Sequence, residues 1–296
     1  MDWLTFPALD REVLRAMRKT LDGGYRDFSR NYGDQIEGVF DPLLVLLVWL
    51  EQTLIHAPWL VVLGLAMGLS YVISRQVKLS IIVGLALAGI GVFGMWEDTM
   101  RTLAMIASAT LICLVIGLPL GILMAQSNRT QSVLMPVLDA MQTIPPFVYL
   151  IPVVMLLGIG KIPGLLAVVI YAVPPVIRLT NLGIRLVDHH VLEAADAFGA
   201  NRWQRLLRVQ IPLALPNIFA GINQTIMMAL AMVVIASMIG VKGLGQSVLQ
   251  AITNQYLALG LFNGMAIVIL AVIFDRTSQA YGRRIQKHRQ DMPRGG

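Results

Sequence analysis

Residues 101–125, RTLAMIASATLICLVIGLPLGILMA, form the apolar stretch that decides the fold class. Arg101 is the only charged residue in this stretch, and a helix of about 20 apolar residues crosses the hydrocarbon core of a bilayer. Similar stretches recur along the chain, so the sequence predicts an all-α, polytopic membrane protein with about seven transmembrane helices. The predicted spans are 58–74, 79–96, 101–125, 134–157, 163–182, 218–240 and 257–275.

The composition supports this assignment. The chain has 296 residues, of which 56% are hydrophobic and 14% are charged, whereas about a quarter of the residues in a soluble domain are charged. Too few polar residues are present to cover a soluble surface, which excludes soluble globular, disordered and fibrous classes. The single cysteine, Cys113, lies in an apolar run, so neither a disulfide framework nor a cysteine-rich metal site is expected within one chain.

The ends of the chain are more polar than the rest. The predicted units are a polar external N-terminal tail (1–41), an interfacial amphipathic helix (42–57), a transmembrane permease domain (58–282) and a basic cytoplasmic tail (283–296). The segment 42–57 contains polar residues and is shorter than a full span, which favours a helix lying in the interface. An eighth span remains the alternative. No apolar stretch follows a basic start, so no cleavable signal peptide is expected.

The distribution of basic residues predicts the topology. If the N-terminal tail is outside, the predicted inside loops and C-terminal tail hold thirteen Lys and Arg residues, and the outside loops hold only Arg101, Lys161 and Lys242. Cytoplasmic loops carry the excess of positive charge. We therefore expect a multi-pass plasma (inner) membrane protein with its N-terminus outside and its C-terminus in the cytoplasm.

One inside loop, residues 183–216, is too long and too amphipathic to be a simple connector. Asp188 is a plausible N-cap for a first helix that ends at Gly199, because glycine readily adopts the left-handed conformation that follows a helix. Asn201 and Gln204 have the spacing of a capping box at the start of a second helix. Ile211–Pro212 is expected to end that second helix. We call residues 188–212 the elbow.

Two roles fit the elbow on physical grounds. A short cytoplasmic helix with small residues at Ala194 and Ala195 can lie close in a groove of a soluble partner and transmit its movement to the adjoining spans. Alternatively, the elbow is a surface or re-entrant helix that only shields the bundle. The residues alone leave both open.

The elbow also resembles a known motif. Glu193-Ala194-Ala195, then Gly199, then Val209-x-Ile211-Pro212 is similar to the EAA motif of ABC importer permease subunits, with conservative differences at Val209 and Ile211. Three stretches resemble permeases of the glycine betaine/proline betaine importers. They are GLPLGILMAQS (117–127), LDAMQTIPPFVYLIPVVMLLGIG (138–160) and NQTIMMALAMVVIASMIGVKGLGQ (223–246).

This resemblance implies a type I permease fold, a homodimer, two ATP-binding cassette subunits and a separate external substrate-binding protein. It implies that Glu193, Ala194, Ala195 and Gly199 couple to the ATPase. It also implies that Val209, Ile211 and Pro212 anchor the return of the elbow into the membrane.

The chain itself lacks GxxxxGK[ST], the loop that cradles nucleotide phosphates. ATP and Mg²⁺ are therefore expected on the partner ATPase, with no cofactor, metal or catalytic residue on this chain and no nucleic acid partner. Membrane lipid is the remaining expected partner.

Two double prolines fall within predicted spans, Pro145–Pro146 and Pro174–Pro175. Each proline removes a backbone donor and kinks a helix, and such breaks persist in lipid only where a neighbour or cavity satisfies the freed carbonyl groups. We therefore expect these prolines to face the bundle interior or a translocation path. Met228 and Met232 are candidates for a pliable gate, although ordinary packing also explains them.

Other function classes have weaker support. An ion-coupled secondary transporter would need ionisable residues inside its spans. The few candidates include Asp139 and Arg178. For Asp139 we expect a structural role, as a helix cap or as the partner in a charged pair. The histidines show no metal-binding or catalytic spacing, which argues against a membrane enzyme. An ABC permease for choline, carnitine or an amino acid remains an alternative, because the motifs hardly distinguish such a permease from one for betaine. The sequence also shows no cluster of aromatic residues that would bind a quaternary amine.

Overall fold

The computed structural model describes the backbone of residues 9–290, with the side chains of Asp34 and of residues 283–290 outside the description. All regular structure in this range is helical. The helices are α1 (Arg11–His56), α2 (Trp59–Ser74), α3 (Val77–Val92), α4 (Trp96–Gln126), α5 (Asn128–Thr143), α6 (Pro146–Leu157), α7 (Lys161–Arg185), α8 (His189–Ala197), α9 (Arg202–Gln204), α10 (Ile211–Ser237), α11 (Leu244–Asn254) and α12 (Leu257–Gln290).

The membrane character of the fold is confirmed, but the set of spans differs from the seven predicted. Five helical segments of the described residues are long and apolar enough to cross a bilayer: Gln35–His56, Trp96–Gln126, Lys161–Arg185, Arg202–Ser237 and Leu257–Gly282. The helices α5 and α6 together form a sixth, bent candidate, and α2 and α3 are shorter apolar helices of 16 residues each.

The predicted span over 134–157 is not one continuous helix, because it is divided into α5 and α6. The chain turns by 95° between α5 and α6. The cause is the double proline, because Pro145 disfavours helical geometry at Ile144, which is extended with φ −69° and ψ 126°. Pro146 then starts α6. Its missing N–H costs nothing there, because the first N–H groups of a helix have no acceptor within the helix.

The other double proline has no such effect. Pro174 and Pro175 lie inside α7, which runs unbroken from Lys161 to Arg185. This helix is the centre of the molecule, packed mainly between α4 and α10. The close packing depends on small residues: a Cβ on Gly121 of α4 would lie 2.8 Å from the carbonyl oxygen of Ile177. Tight support on both sides holds α7 together despite two missing backbone donors.

The N-terminal part of the chain is more regular than expected. A single helix, α1, covers 46 residues, about 69 Å at 1.5 Å per residue. It crosses the predicted boundary at residues 41/42 without a break. Most of α1 is exposed, but Leu47 is fully buried against the bundle. The interfacial position of 42–57 stays a prediction, since Gln35–His56 has the length and hydropathy of a span.

Charged side chains join the helices at one end of the bundle. Glu51 of α1 binds the amino group of Lys161 at the start of α7 (2.7 Å), and the guanidinium of Arg101 near the start of α4 lies 3.8 Å away. Arg101 also pairs with Glu97 and Asp98. Since the distribution of basic residues predicts that Arg101 and Lys161 lie outside, we call this the outer end. The three elements are held together there by pairs that are largely shielded from solvent.

Candidate coupling site and translocation path

The elbow starts with a well-capped helix. The carboxylate of Asp188 accepts a hydrogen bond from the backbone N–H of His190 (2.9 Å) and so caps α8, as predicted. The side chain of Glu193 is exposed on the first turns, with the Nδ1 atoms of His189 and His190 at 3.1 and 3.6 Å. Ala194 is exposed and Ala195 half-buried, so the small residues leave the helix surface open to close approach.

Gly199 ends the first helix in the way the sequence predicted. Its φ is +77°, in the left-handed region that disfavours residues with a Cβ. Its N–H donates to the carbonyl of Asp196 (2.9 Å), and the N–H of Ala200 donates to the carbonyl of Ala195 (3.0 Å). These two bonds form a Schellman motif. They fix the direction in which the chain leaves α8.

The second half of the elbow is capped and braced. Asn201 and Gln204 exchange side chain-to-backbone hydrogen bonds of 2.8 and 2.9 Å, which confirms the predicted capping box. The guanidinium of Arg205 binds the carboxylate of Asp196 (2.8 Å) across the bend. The two halves of the elbow are therefore linked by a side-chain contact as well as by the chain.

The predicted stop at Ile211–Pro212 is wrong. Residues Arg205–Gln210 form a π-helical turn that leads directly into α10, so helical structure continues from Arg202 to Ser237. A proline ring clashes with the carbonyl four residues earlier, which for Pro212 belongs to Arg208. A π turn uses the bond from residue i to i+5 and widens the helix at that point. The extra residue accommodates Pro212 without ending the helix.

The elbow is anchored to the bundle by a small apolar cluster. Leu206 is 2% exposed and packs with Ile184, Ala214 and Ile218, which belong to α7 and α10. Ile211 is half-buried against this cluster, Val209 is half-buried, and Pro212 is exposed. The π turn is thus fixed to both helices that connect the elbow to the membrane.

The elbow also presents apolar side chains to the solvent. Phe198 is 93% exposed, and Trp203 and Leu207 are also exposed. Exposed apolar patches mark interaction surfaces, and these three large side chains fall in one short segment of the chain. These three residues were not predicted as part of an interaction surface, although two aromatic residues on a polar loop are a sequence signal for one.

A second feature that the sequence did not indicate fixes the start of the elbow. The guanidinium of Arg185, the last residue of α7, donates to the side-chain oxygens of Asn181 (3.0 Å) and Asn128 (2.8 Å) and to the carbonyl of Met124 (2.8 Å). It therefore ties the end of α7 to the corner between α4 and α5. The start of the elbow is therefore attached to α4 and α5 as well as to α7.

The residues predicted to line a path are not brought together by the fold. Pro174, Pro175 and Met232 are buried inside the protomer, and Met228 is half-buried. Pro145 is exposed and Pro146 half-buried at the bend before α6. Their lining of a path stays a prediction. Within the described part of the chain, no group of three or more His, Cys, Asp or Glu side chains could hold a metal ion.

Three comparisons with known proteins bear on this geometry. Residues 117–287 match the family described as "Binding-protein-dependent transport system inner membrane component". The glycine betaine/proline betaine transport system permease protein of Escherichia coli is 48% identical over 95% of this chain and 82% of its own length. The glycine betaine/carnitine transport permease protein of Listeria monocytogenes is 49% identical over 77% of this chain and 81% of its own.

Solved structures show the same fold. A chain of the MetNI methionine ABC transporter in an inward-facing conformation superimposes with a TM-score of 0.58 at 20% identity, covering 64% of this chain and 95% of the other. At this identity the likeness concerns the fold alone.

Proposed function

This chain belongs to the family of binding-protein-dependent transport system inner membrane components, and from that premise we propose that it is the permease subunit of an ATP-driven importer of glycine betaine, proline betaine or a related quaternary ammonium osmoprotectant. The observation that carries the substrate class is 48% identity, over 95% of this chain, to a permease of that name. Carnitine is a second candidate, because a relative at 49% identity is named for it as well.

Membership of this family sets the general role. The chain is a multi-pass inner membrane component of an ABC importer, and it works with an ATPase and a binding protein rather than hydrolysing ATP itself. An ion-coupled secondary carrier and a membrane enzyme are thereby excluded.

In the complex that we propose, two copies of this chain assemble with two ATPase subunits. Each elbow docks on one ATPase through Glu193, Ala194, Ala195 and Gly199. Closure of the ATPase pair on ATP moves both elbows, and the helices joined to them open the path toward the outside. The exposed apolar side chains of Phe198, Trp203 and Leu207 support this role, because docking would remove them from water.

The return of the elbow carries the movement into the membrane. Val209 in the π turn and Ile211 at the start of α10 lie half-buried in the continuous helix that ends the elbow, and Pro212 follows the π turn. Because the helix does not end there, a push on the elbow acts along α10 without a flexible joint. The path itself is proposed to include Pro145, Pro146, Pro174, Pro175, Met228 and Met232.

The orientation belongs to the same proposal. We place the C-terminus in the cytoplasm and the N-terminus outside, with 42–57 in the outer interface. The contact of Glu51 with Lys161 supports the position of this segment at the outer end. A reporter fused before Arg11 tests the proposal: an external reporter supports it. A cytoplasmic reporter would mean that Gln35–His56 crosses the membrane.

The central test is ATP hydrolysis by the complex that co-purifies with this chain, reconstituted in lipid with its binding protein. Glycine betaine should stimulate the rate. Stimulation by carnitine alone would change the substrate and keep the mechanism. Absence of a co-purifying ATPase would contradict the proposed complex. The Gly199 variant described in the Discussion then tests the elbow in the same preparation.

A further inference from the structure

A charged pair joins α5 to α7 within the membrane-spanning region. The guanidinium Nη2 atom of Arg178 lies 2.5 Å from Oδ1 of Asp139. The two side chains are 39 positions apart in the chain, and the bend after α5 allows this helix to lie beside α7. Neither side chain is fully covered: 28% of Arg178 and 58% of Asp139 is exposed.

The depth of the pair argues that its exposed side does not face lipid. Arg178 lies seven residues before the end of α7 at Arg185, a distance of about 10 Å along the helix. The helix has 25 residues and is therefore about 37 Å long, against a hydrocarbon core of about 30 Å. If α7 is centred in the bilayer, Arg178 lies some 7 Å inside the core. Charged residues at such depth almost always face the bundle interior or a water-filled cavity.

Arg178 also retains unused binding capacity. Its Nε atom is buried and has no hydrogen-bond partner among the described residues. A carboxylate commonly binds a guanidinium through two parallel N–H bonds, whereas Asp139 engages the Nη2 atom alone. Because one carboxylate oxygen alone holds Nη2, a substrate carboxylate could replace Asp139 there.

We propose that the Arg178–Asp139 pair is a transient substrate site in the translocation path for a small zwitterion with a carboxylate and a quaternary ammonium group. The substrate carboxylate takes the place of Asp139 on the Arg178 guanidinium, and the substrate cation lies against the released Asp139 carboxylate. This proposal rests on the proposed function and specifies where in the permease the substrate is held.

The exchange has a physical advantage for transport. An isolated charge in a low-dielectric region is costly, and breaking a buried pair by removing one partner is strongly destabilising. In the proposed exchange every charge has an opposite partner before and after the substrate binds. The net gain is consequently small, and a substrate that is bound weakly can leave toward the cytoplasm.

The test uses a cysteine next to the pair. Gln142 lies three residues after Asp139 on α5 and is half-buried. In the complete complex, Gln142→Cys is treated during ATP turnover with trimethylammonium-ethyl methanethiosulfonate, a reagent that reaches thiols only from water. The wild-type chain is the background control, because its single cysteine, Cys113, is fully buried. A second control is Val137→Cys on α5, which lies within the predicted span, is exposed on the protomer and is about 160° around the helix from Asp139.

We expect Gln142→Cys to be labelled and Val137→Cys to remain unlabelled. Glycine betaine should slow labelling of Gln142→Cys by at least about fivefold, and Arg178→Gln should remove that protection, because hydrogen bonds to charged groups are worth about a tenfold change or more in affinity. Arg178→Lys retains the charge but loses the forked geometry and should retain only part of the protection.

Assembly of each variant is checked by the ATP hydrolysis that the loaded binding protein stimulates. Absence of labelling at Gln142→Cys, or protection equal to wild type in an assembled Arg178 variant, overturns the site and leaves the proposed function intact. A wild-type complex that responds to glycine betaine in neither import nor ATP hydrolysis overturns the proposed substrate, and the site with it.

Discussion

Gly199 offers the sharpest test of the elbow, because its replacement by valine strains the backbone without creating a steric clash. No atom lies within 4 Å of the position that a Cβ on Gly199 would occupy, so steric contact with neighbours plays no part. The left-handed φ of +77° costs a residue with a Cβ about 1–2 kcal/mol. The two hydrogen bonds of the Schellman motif contribute about 1 kcal/mol each. In the variant, the free energy of the backbone strain is therefore close to the free energy that the two hydrogen bonds contribute.

This near balance predicts a divided population. Strain of about 1–2 kcal/mol against about 2 kcal/mol of hydrogen bonding leaves between about half and about five sixths of the Gly199→Val elbows in the native bend, and substrate import per ATP hydrolysed should fall in proportion. Import by the reconstituted complex, measured together with its ATP hydrolysis, gives this ratio directly.

Gly94 provides a matched control. It lies in the turn between α3 and α4 with φ +76° and also has nothing within 4 Å of a Cβ. Gly94→Val should therefore carry the same strain without affecting coupling. Gly199→Asn should retain most of the wild-type import per ATP hydrolysed, because asparagine tolerates the left-handed region. Wild-type coupling in Gly199→Val, or an equal loss in Gly94→Val, would refute the reasoning.

Three further predictions concern other parts of the structure. Leu206→Ala removes a buried anchor of the elbow and should destabilise it by about 2–5 kcal/mol, which hydrogen exchange of the π turn would detect; wild-type protection would contradict this. Replacing Pro145 and Pro146 by alanine should reduce the 95° bend, and an unchanged distance between spin labels on α5 and α6 would show that packing causes it. Tyr25→Phe removes the hydrogen bond to the carbonyl of Pro152 and should loosen α1 from α6 by about 1 kcal/mol, measured as faster exchange in α1 and refuted by unchanged rates.

The pairing of charges explains how a largely apolar chain accommodates its ionic groups. Glu51, Arg101 and Lys161 meet at the outer end, and Asp139 meets Arg178 between α5 and α7. The sequence reasoning expected a structural pair for Asp139 but could not name its partner, because nothing in the sequence shows that α5 lies beside α7 at that height.

The sequence by itself determined the features that depend on local chemistry. Apolar runs long enough to cross a bilayer predicted an all-helical membrane protein, since the backbone can satisfy its polar groups there only within helices. Asp188, Gly199, Asn201 and Gln204 predicted the caps and the bend of the elbow, because each acts on atoms only a few residues away. The EAA-like spacing identified the family through the same short segment.

Only the tertiary structure decided the features that depend on distant neighbours. Two double prolines look alike in the sequence, yet Pro145–Pro146 separates two helices while Pro174–Pro175 lies in an unbroken one. The difference arises because α7 is enclosed between α4 and α10, and their packing compensates for the missing backbone donors. Likewise, Pro212 fails to end its helix because a π turn, held by the buried Leu206, absorbs the extra volume. The local effect of a proline favours interruption of its helix, and the packing around each proline decides whether the helix is interrupted.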